Sequence, residues 1–238
     1  LLDSTQANAR LLGPDYDETV EVDRHKEGKD FSGLCVYYMA RMMLGYLFDD
    51  TDDALENGES ALKLLDTVLA TPHVSTVHYF YTLSLLRAAD KAQGNHRNRL
   101  VSRATVSMKL IRKFAKSAPA NHLAKQYLID AEMYRLKTNF SVAERLYEQA
   151  IIHARDNGFL HEEAIGNELL ARHWAARLDT EKSRKYLLEA RRLFQKWGAV
   201  AKVNHLDQHY GLKMPAIGNT ETTTLRSGGH SKIGRAHV

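Results

Sequence analysis

The sequence predicts an all-α fold, a solenoid of stacked antiparallel helix pairs with a period of about 40 residues. Three observations predict it. The set Ala143, Leu146, Tyr147, Ala150, Ala154 and Gly158 is answered 40 residues later by Ser183, Tyr186, Leu187, Ala190, Phe194 and Gly198. Within each copy the spacing i, i+3, i+4, i+7, i+11 is the buried stripe of an amphipathic helix. Only four prolines occur, and few runs favour strands. The helical stretches are separated by short turns, as antiparallel neighbours require. A pair of this length cannot bury a face alone, so the pairs must stack.

The elements follow in order. Residues 1–28 are polar, with Gly13-Pro14 as a breaker, and carry an N-terminal remnant or a short helix over Asp15–His25. Phe31–Phe48 presents Leu34, Tyr37, Tyr38, Arg41, Met42, Gly45 and Phe48 at helical spacing. The acidic turn after it offers Thr51 or Asp52 as the next N-cap. A stripe of Ala54, Gly58, Ala61, Leu65 and Val68 follows, echoing the 143–158 stripe at an offset of 89 residues. Thr71-Pro72 breaks that helix. Ser75 caps the next, through Tyr79, Leu83 and Leu86, which ends near Gly94. Arg97–Ala118 repeats the pattern, and Pro119 opens the helix carrying Leu123, Tyr127, Ala131 and Tyr134. Helices over 140–157, 160–178 and 180–197 and a short one over Ala199–Tyr210 bring the total to roughly nine.

This divides the chain into an N-terminal remnant or short helix (1–28), a helical-repeat domain (29–211), a flexible Thr/Ser/Gly-rich linker (212–232) and a terminal hexapeptide (233–238). Ile233-Gly234-Arg235-Ala236-His237-Val238 reads as a translated sequencing adapter and is set aside with processing scars. The opening Leu1-Leu2-Asp3 lacks a methionine and is expected to be internal to a longer protein.

Apolar content of 44% and charged content of 26% are those of an ordinary globular protein. The lone Cys35 excludes an internal disulfide, fits a reducing, cytoplasmic compartment, and sits among apolar neighbours as an inert thiol. No apolar run is long enough to span a membrane. The pI near 9.0 belongs mostly to the tail: Arg226, Lys232 and Arg235 have no acidic neighbour there. Removing them takes the formal charge from +4 to +1 for residues 1–225.

No phosphate-binding GxxxxGK(S/T) or GxGxxG loop and no kinase HRD or DFG signature is present. His205 and His209 stand one helical turn apart, a zinc-pair spacing without a third ligand, and two polar surface histidines on the closing helix are the favoured reading. Asp207, at i+2 from His205, faces away from the pair. His161-Glu162-Glu163 resembles a metalloprotease helix, but Ile165 occupies the second histidine's place, and carboxylates at a helix N-terminus account for it. Asp49-Asp50 and Asp52-Asp53 lack the calcium-loop glycine and terminal glutamate and read as a capped, solvated turn. From Arg87 to Lys116 nine basic residues face Asp90 alone. A solvated outer face, an acidic neighbouring domain and a nucleic acid are the three readings, the last opposed by the shortage of stacking aromatics.

The spacing resembles the tetratricopeptide pattern. Ala143-x3-Tyr147-x2-Ala150 and Ser183-x3-Leu187-x2-Ala190 stand at the second-helix positions, and Tyr127, Ala131 and Tyr134 at the first-helix ones. The period is 40 instead of roughly 34, and the family's late proline is missing. The resemblance implies a right-handed superhelix whose first helices line a groove. Lys125, Glu132 and Arg135, with Glu168 and Arg172 in the next pair, are the partner-facing residues it implies.

A longer resemblance spans residues 30–210. Phe159-Leu160-His161-Glu162-Glu163-Ala164-Ile165-Gly166-Asn167-Glu168, Tyr186-Leu187-Leu188-Glu189-Ala190-Arg191 and Trp197-Gly198-Ala199-Val200-Ala201-Lys202-Val203 are similar to one segment of large multidomain signalling kinases. Ala118-Pro119-Ala120-Asn121-His122 and Tyr127-Leu128-Ile129-Asp130-Ala131-Glu132 match as well. That family runs from a serine/threonine kinase-like domain through an AAA-type ATPase, a helical-repeat region and a GAF domain to a histidine kinase. The resemblance implies a non-catalytic scaffold between ATPase and sensor, with no cofactor or metal, partners that are protein domains in cis or a peptide, and no nucleic acid or membrane. A repeat region of an ATPase-type transcriptional regulator is the alternative, and a metal-dependent enzyme using His205 and His209 a distant one.

Overall fold

The computed structural model describes residues 10–69 and 71–212. Expectations for the linker and terminal hexapeptide at 213–238 lie outside the described residues. Among those described, the fold is all-α. The helices are α1 (Glu18–Glu27), α2 (Phe31–Leu47), α3 (Thr51–Lys63), α4 (His73–Lys91), α5 (Gly94–Ser117), α6 (Pro119–Leu136), α7 (Phe140–Asp156), α8 (Leu160–Ala176), α9 (Thr180–Trp197) and α10 (Val200–Tyr210), with a 3₁₀ turn at Leu65–Val68. None of them is long and apolar enough to cross a membrane.

Turn chemistry decides where these helices stop. Thr138, Gly158, Leu178 and Gly198 all have positive φ, at +59°, +77°, +62° and +87°, and lie 20 residues apart. Each is followed by the same hydrogen bond from the next amide to a carbonyl five residues back: Asn139 to Tyr134, Phe159 to Ala154, Asp179 to Trp174 and Ala199 to Phe194. That bond, with the shorter one made by the positive-φ residue itself, is the Schellman closure that satisfies a helix's last carbonyls and reverses the chain. The 40-residue repeat is thus two 20-residue units of one helix and one left-handed turn. Lys29 (φ +53°) and Asp49 (φ +67°) keep the same spacing at the first hairpin.

Carboxylates begin several of the helices. Asp17, Asp30, Asp50 and Asp179 accept from the backbone amides of Thr19, Gly33, Asp53 and Lys182, which satisfies N-terminal donors and suits the helix dipole. The α3 cap is therefore Asp50, not Thr51 or Asp52. Ser75 caps nothing: α4 begins at His73, and the Ser75 hydroxyl donates back to the Pro72 carbonyl at 3.0 Å. Gly94 does not end α4 but opens α5, at φ +55°. The helix expected to run on to Thr71-Pro72 stops at Lys63 and tightens into the 3₁₀ turn, whose Leu65 and Val68 remain buried.

Consecutive helices pack as hairpins: α2 with α3, α4 with α5, α6 with α7 and α8 with α9. The first helices of successive hairpins also touch, α2 with α4, α4 with α6 and α6 with α8. The repeated stripe is buried as expected, Ala143, Tyr147, Ala150 and Ala154 in one copy and Ser183, Leu187, Ala190 and Phe194 in the other. The small members let neighbouring helices approach. On α2 the buried set is Leu34, Cys35, Met39, Met42, Gly45, Tyr46 and Leu47, with Tyr37, Tyr38 and Arg41 only half-covered. The stripe is rotated from its expected position because α4 covers a second side of α2. A Cβ on Gly45 would lie 2.8 Å from the Ala54 nitrogen, so α2 and α3 meet backbone to backbone there. Cys35 is buried, and burial pushes its thiol pKa up, so it stays protonated and inert.

Two predictions follow from these local conformations. Leu178 is 88% exposed yet held in a left-handed turn that costs a side-chain-bearing residue roughly 1–2 kcal/mol. Leu178→Gly is expected to raise unfolding stability by about 1 kcal/mol, less the extra chain entropy glycine loses, as read by urea denaturation. His173 is buried between Phe140, Tyr147 and Trp174, with both ring nitrogens unpartnered among the described residues. Burial first, then the charges of Arg177 and Arg135, pushes its pKa down to about 4. The folded state therefore favours neutral imidazole, and stability present above the ordinary histidine range is lost as pH falls toward that value. His173→Leu is expected to improve relative to wild type by about 1–2 kcal/mol between pH 7.5 and pH 5; an unchanged gap would show that the ring protonates freely in the fold.

Candidate functional site: the polar groove of the first helices

The first helices carry charged side chains on the face not covered by their hairpin partners. Arg87 and Asp90 come from α4, Glu132 and Arg135 from α6, and Glu168 and Arg172 from α8. They meet the α2–α3 corner at Asp49 and the closing helix α10 at Lys202. Arg172 donates to both Asp49 carboxylate oxygens at 2.8 and 2.9 Å, and Arg87 donates to the same carboxylate at 2.8 Å. Arg87 also reaches the Tyr46 carbonyl, and its guanidinium lies 3.9 Å from the centre of the Tyr46 ring. Glu168 accepts from Arg172 at 2.5 Å and from Lys202 at 2.9 Å, while Lys202 donates onward to the Leu47 carbonyl. Residues 155 apart in sequence are thereby tied together.

A second branch links α4, α6 and α7. Arg135 bridges Asp90 at 3.0 Å and Glu132 at 2.9 Å, and the Tyr147 hydroxyl donates to Glu132. Burial works to raise the pKa of Asp49, Glu132 and Glu168. In each case neighbouring cations outweigh it and hold the carboxylate below its usual range: Arg172 and Arg87 for Asp49, Arg135 for Glu132, and Lys202 with Arg172 for Glu168. Burial pulls the Lys202 pKa down, opposed by Glu168. Charge is matched locally, so these side chains act as struts across the groove.

A cleft of about 360 Å³ remains beside these struts, with Asp90, Glu132, Arg135, Arg172, His209 and Tyr210 in its wall. Of the five residues expected to face a partner, Glu132, Arg135, Glu168 and Arg172 belong to this network. Lys125 does not: it lies toward the other end of the first helices, buried against Glu162. Glu132 and Glu168 are themselves buried, so the polar face is largely turned on itself.

Several other expectations change for the same reason. The acidic turn after α2 is not merely solvated, since Asp49 receives two arginines and Asp53 receives Arg41 at 2.6 Å. Glu162 and Glu163 do stand in the first turn of α8, as expected, and are in addition buried and paired with Lys125 and Arg155. His205 is buried with its ring 5.4 Å from Phe48 and stacked 5.8 Å from exposed His209, so only one of the pair is a surface histidine. Asp207 points away from the histidine pair, as expected, but is buried and clasps Arg191 through two bonds of 2.6 and 2.8 Å. Among the described residues no three histidine, cysteine or acidic side chains gather as a metal site would. The basic run also breaks up: Arg87, Arg103 and Arg112 are taken by Asp49, Glu59 and Asp130, and Arg97 by the Leu136 carbonyl.

The chain matches no protein-family model, no curated protein and no solved structure in the comparisons made.

The groove's role in stability is testable at its hub. Asp49→Asn keeps a residue tolerant of the left-handed turn but leaves Arg172 and Arg87 without their shared anion. The expected loss is about 2 kcal/mol at neutral pH, below the range for fully buried pairs because these groups are partly exposed. Because the folded pKa of Asp49 is depressed, its contribution is present above the ordinary carboxylate range and is lost as pH falls toward the folded value. The gap between variant and wild type should therefore narrow below about pH 4; a pH-independent gap would place the effect elsewhere.

Proposed function

We propose that this chain is a non-catalytic helical-repeat scaffold, a right-handed tetratricopeptide-like solenoid that spaces and couples domains of a multidomain signal-transduction kinase in the cytoplasm. The observation that carries this reading is the strutted groove. Ion pairs running from the α2–α3 corner through α8 to α10 tie the beginning and end of the repeat array into one stiff unit. A unit of this kind transmits a displacement from one end to the other, which suits a spacer between an ATPase region and downstream sensor and kinase domains. The 20-residue turn spacing and the contacts between successive first helices support the solenoid reading. The resemblance of the α6, α8, α9 and α10 sequences to the repeat region of such kinases supplies the biological setting. On this reading Glu132, Arg135, Glu168 and Arg172 hold the array in shape, and a partner domain engages it at the groove mouth and outer surfaces.

Recovery of the complete coding sequence tests the setting. A nucleotide-binding P-loop upstream, with a GAF domain and a phosphoacceptor histidine downstream, is the expected arrangement. A DNA-binding helix-turn-helix downstream would assign the chain to an ATPase-type transcriptional regulator instead.

A further inference from the structure

The outer face of α5 departs from the charge matching seen in the groove. Over 24 residues this helix carries seven arginines and lysines and no acid. Solvent-facing helix surfaces elsewhere set opposite charges three or four residues apart, as Asp23 with Lys26 on α1 and Glu189 with Arg192 on α9. On α5 the same spacings hold like charges. Arg99 and Arg103, Lys109 and Lys113, and Arg112 and Lys116 stand four apart, and Lys113 stands three from Lys116. Each such pair works against the helix. No acid stands in the first turn to suit the helix dipole.

Neighbouring elements neutralise only part of this face. Arg97 donates to the Leu136 carbonyl, Arg103 pairs with Glu59 of α3, and Arg112 pairs with Asp130 of α6. Arg99, Lys109, Lys113 and Lys116 are exposed and have no acidic partner among the described residues. With Ser102 and Val106 they fall at alternate steps of three and four, which keeps them on one stripe along the helix. The stripe runs for about 26 Å at roughly 1.5 Å per residue. Val106, 68% exposed, stands near its middle.

The chemistry of the stripe selects its occupant. A single-stranded nucleic acid stacks on aromatic platforms, whereas the aromatic ring of α5, Phe114, is half-buried against His122 with the ring centres 5.4 Å apart. The major groove of a duplex takes in a helix, but α5 is packed between α4 and α6. An anionic bilayer takes a helix whose basic face borders a bulky apolar one. The apolar face of α5, with Leu100, Met108 and Ile111, is instead buried in the core. What fits is a second helix laid alongside. Its carboxylates, at their own steps of three and four, meet the cations, while its apolar side chains cover Val106 and the methylene stems of the lysines.

We propose that the outer face of α5 is a docking surface for an acidic helix of a partner protein, held by Arg99, Lys109, Lys113 and Lys116 around Val106. This deepens the scaffold reading by giving the partner's chemistry, and rests on that reading for the partner's role. The contact itself stands whichever domains adjoin the chain in the complete protein.

The test is a titration of the isotopically labelled full chain at low salt by two-dimensional NMR. The probes are a helical peptide of about 20 residues with glutamates three and four apart and interspersed leucines, its glutamine counterpart, single-stranded and duplex DNA, and phosphatidylcholine vesicles containing phosphatidylserine. The acidic peptide is expected to bind most tightly, with saturable shifts confined to α5 that weaken several-fold as salt screens the contact. Joint substitution Lys109→Gln, Lys113→Gln and Lys116→Gln removes charges that repel one another. It is expected to lower peptide affinity at least tenfold while the unfolding midpoint holds or rises. Lys63→Gln, Arg184→Gln and Lys196→Gln together remove the same charge from exposed sites on α3 and α9, and are expected to change affinity less than two-fold. Four results would each overturn the proposal: no saturable binding of the acidic peptide, equal binding of its glutamine counterpart, tighter binding of DNA or vesicles, or equal losses in the two triple variants. The complete coding sequence judges the kinase setting separately, so failure of one is distinguishable from failure of the other.

Discussion

The Asp49 carboxylate is where the architecture closes. It sits at the left-handed corner between α2 and α3 and receives Arg87 from α4 and Arg172 from α8. The hairpin-to-hairpin packing of the helices is between near neighbours in the chain, whereas the Asp49–Arg172 ion pair spans 123 residues. A repeat array held by nearest-neighbour packing alone is elastic along its length. One anion shared by two guanidiniums, with Glu168 and Lys202 beside it, joins non-adjacent hairpins and stiffens the groove. The cost is desolvation of several charges, which the paired geometry offsets and which a missing partner would expose.

The struts also explain the placement of α10. Lys202 is 2% exposed and reaches both Glu168 and the Leu47 carbonyl, and His205 meets Phe48. On the outer side, Asp207 holds Arg191 of α9. The short last helix is therefore anchored by polar contacts on two sides, with Val203 and Leu206 as its apolar contribution to the core. Both ends of the first-helix face are thus polar. Each end combines ion pairs with buried polar atoms that have no partner among the described residues, Arg172 Nε and Thr51 Oγ1 near Asp49, and Glu162 Oε2 and the Tyr79 hydroxyl at the other end.

Helix boundaries in the second half were legible because Gly158 and Gly198 mark two of the four left-handed turns. The other two, at Thr138 and Leu178, carry side chains that give no local signal of positive φ. They adopt it because the Schellman bonds and the packing of the flanking helices outweigh a small steric penalty. The first half was read less well for a related reason. Thr51 and Asp52 are as good caps in isolation as Asp50, and it is Asp50 that takes the role where α3 packs closely against Gly45.

The candidate site divides along the same line. Its residue types were visible: alternating acids and bases at groove-facing positions of α6 and α8. Their partners were not, since Asp49 lies 123 residues from Arg172 and Leu47 lies 155 from Lys202. By itself the sequence determined the all-α class and the small-residue stripes buried on α7 and α9, because those follow from side-chain periodicity within one or two turns of chain. Only the tertiary structure decided which charges neutralise one another and which buried polar atoms stay unpartnered, because electrostatic pairing depends on distance in space and carries no local periodicity.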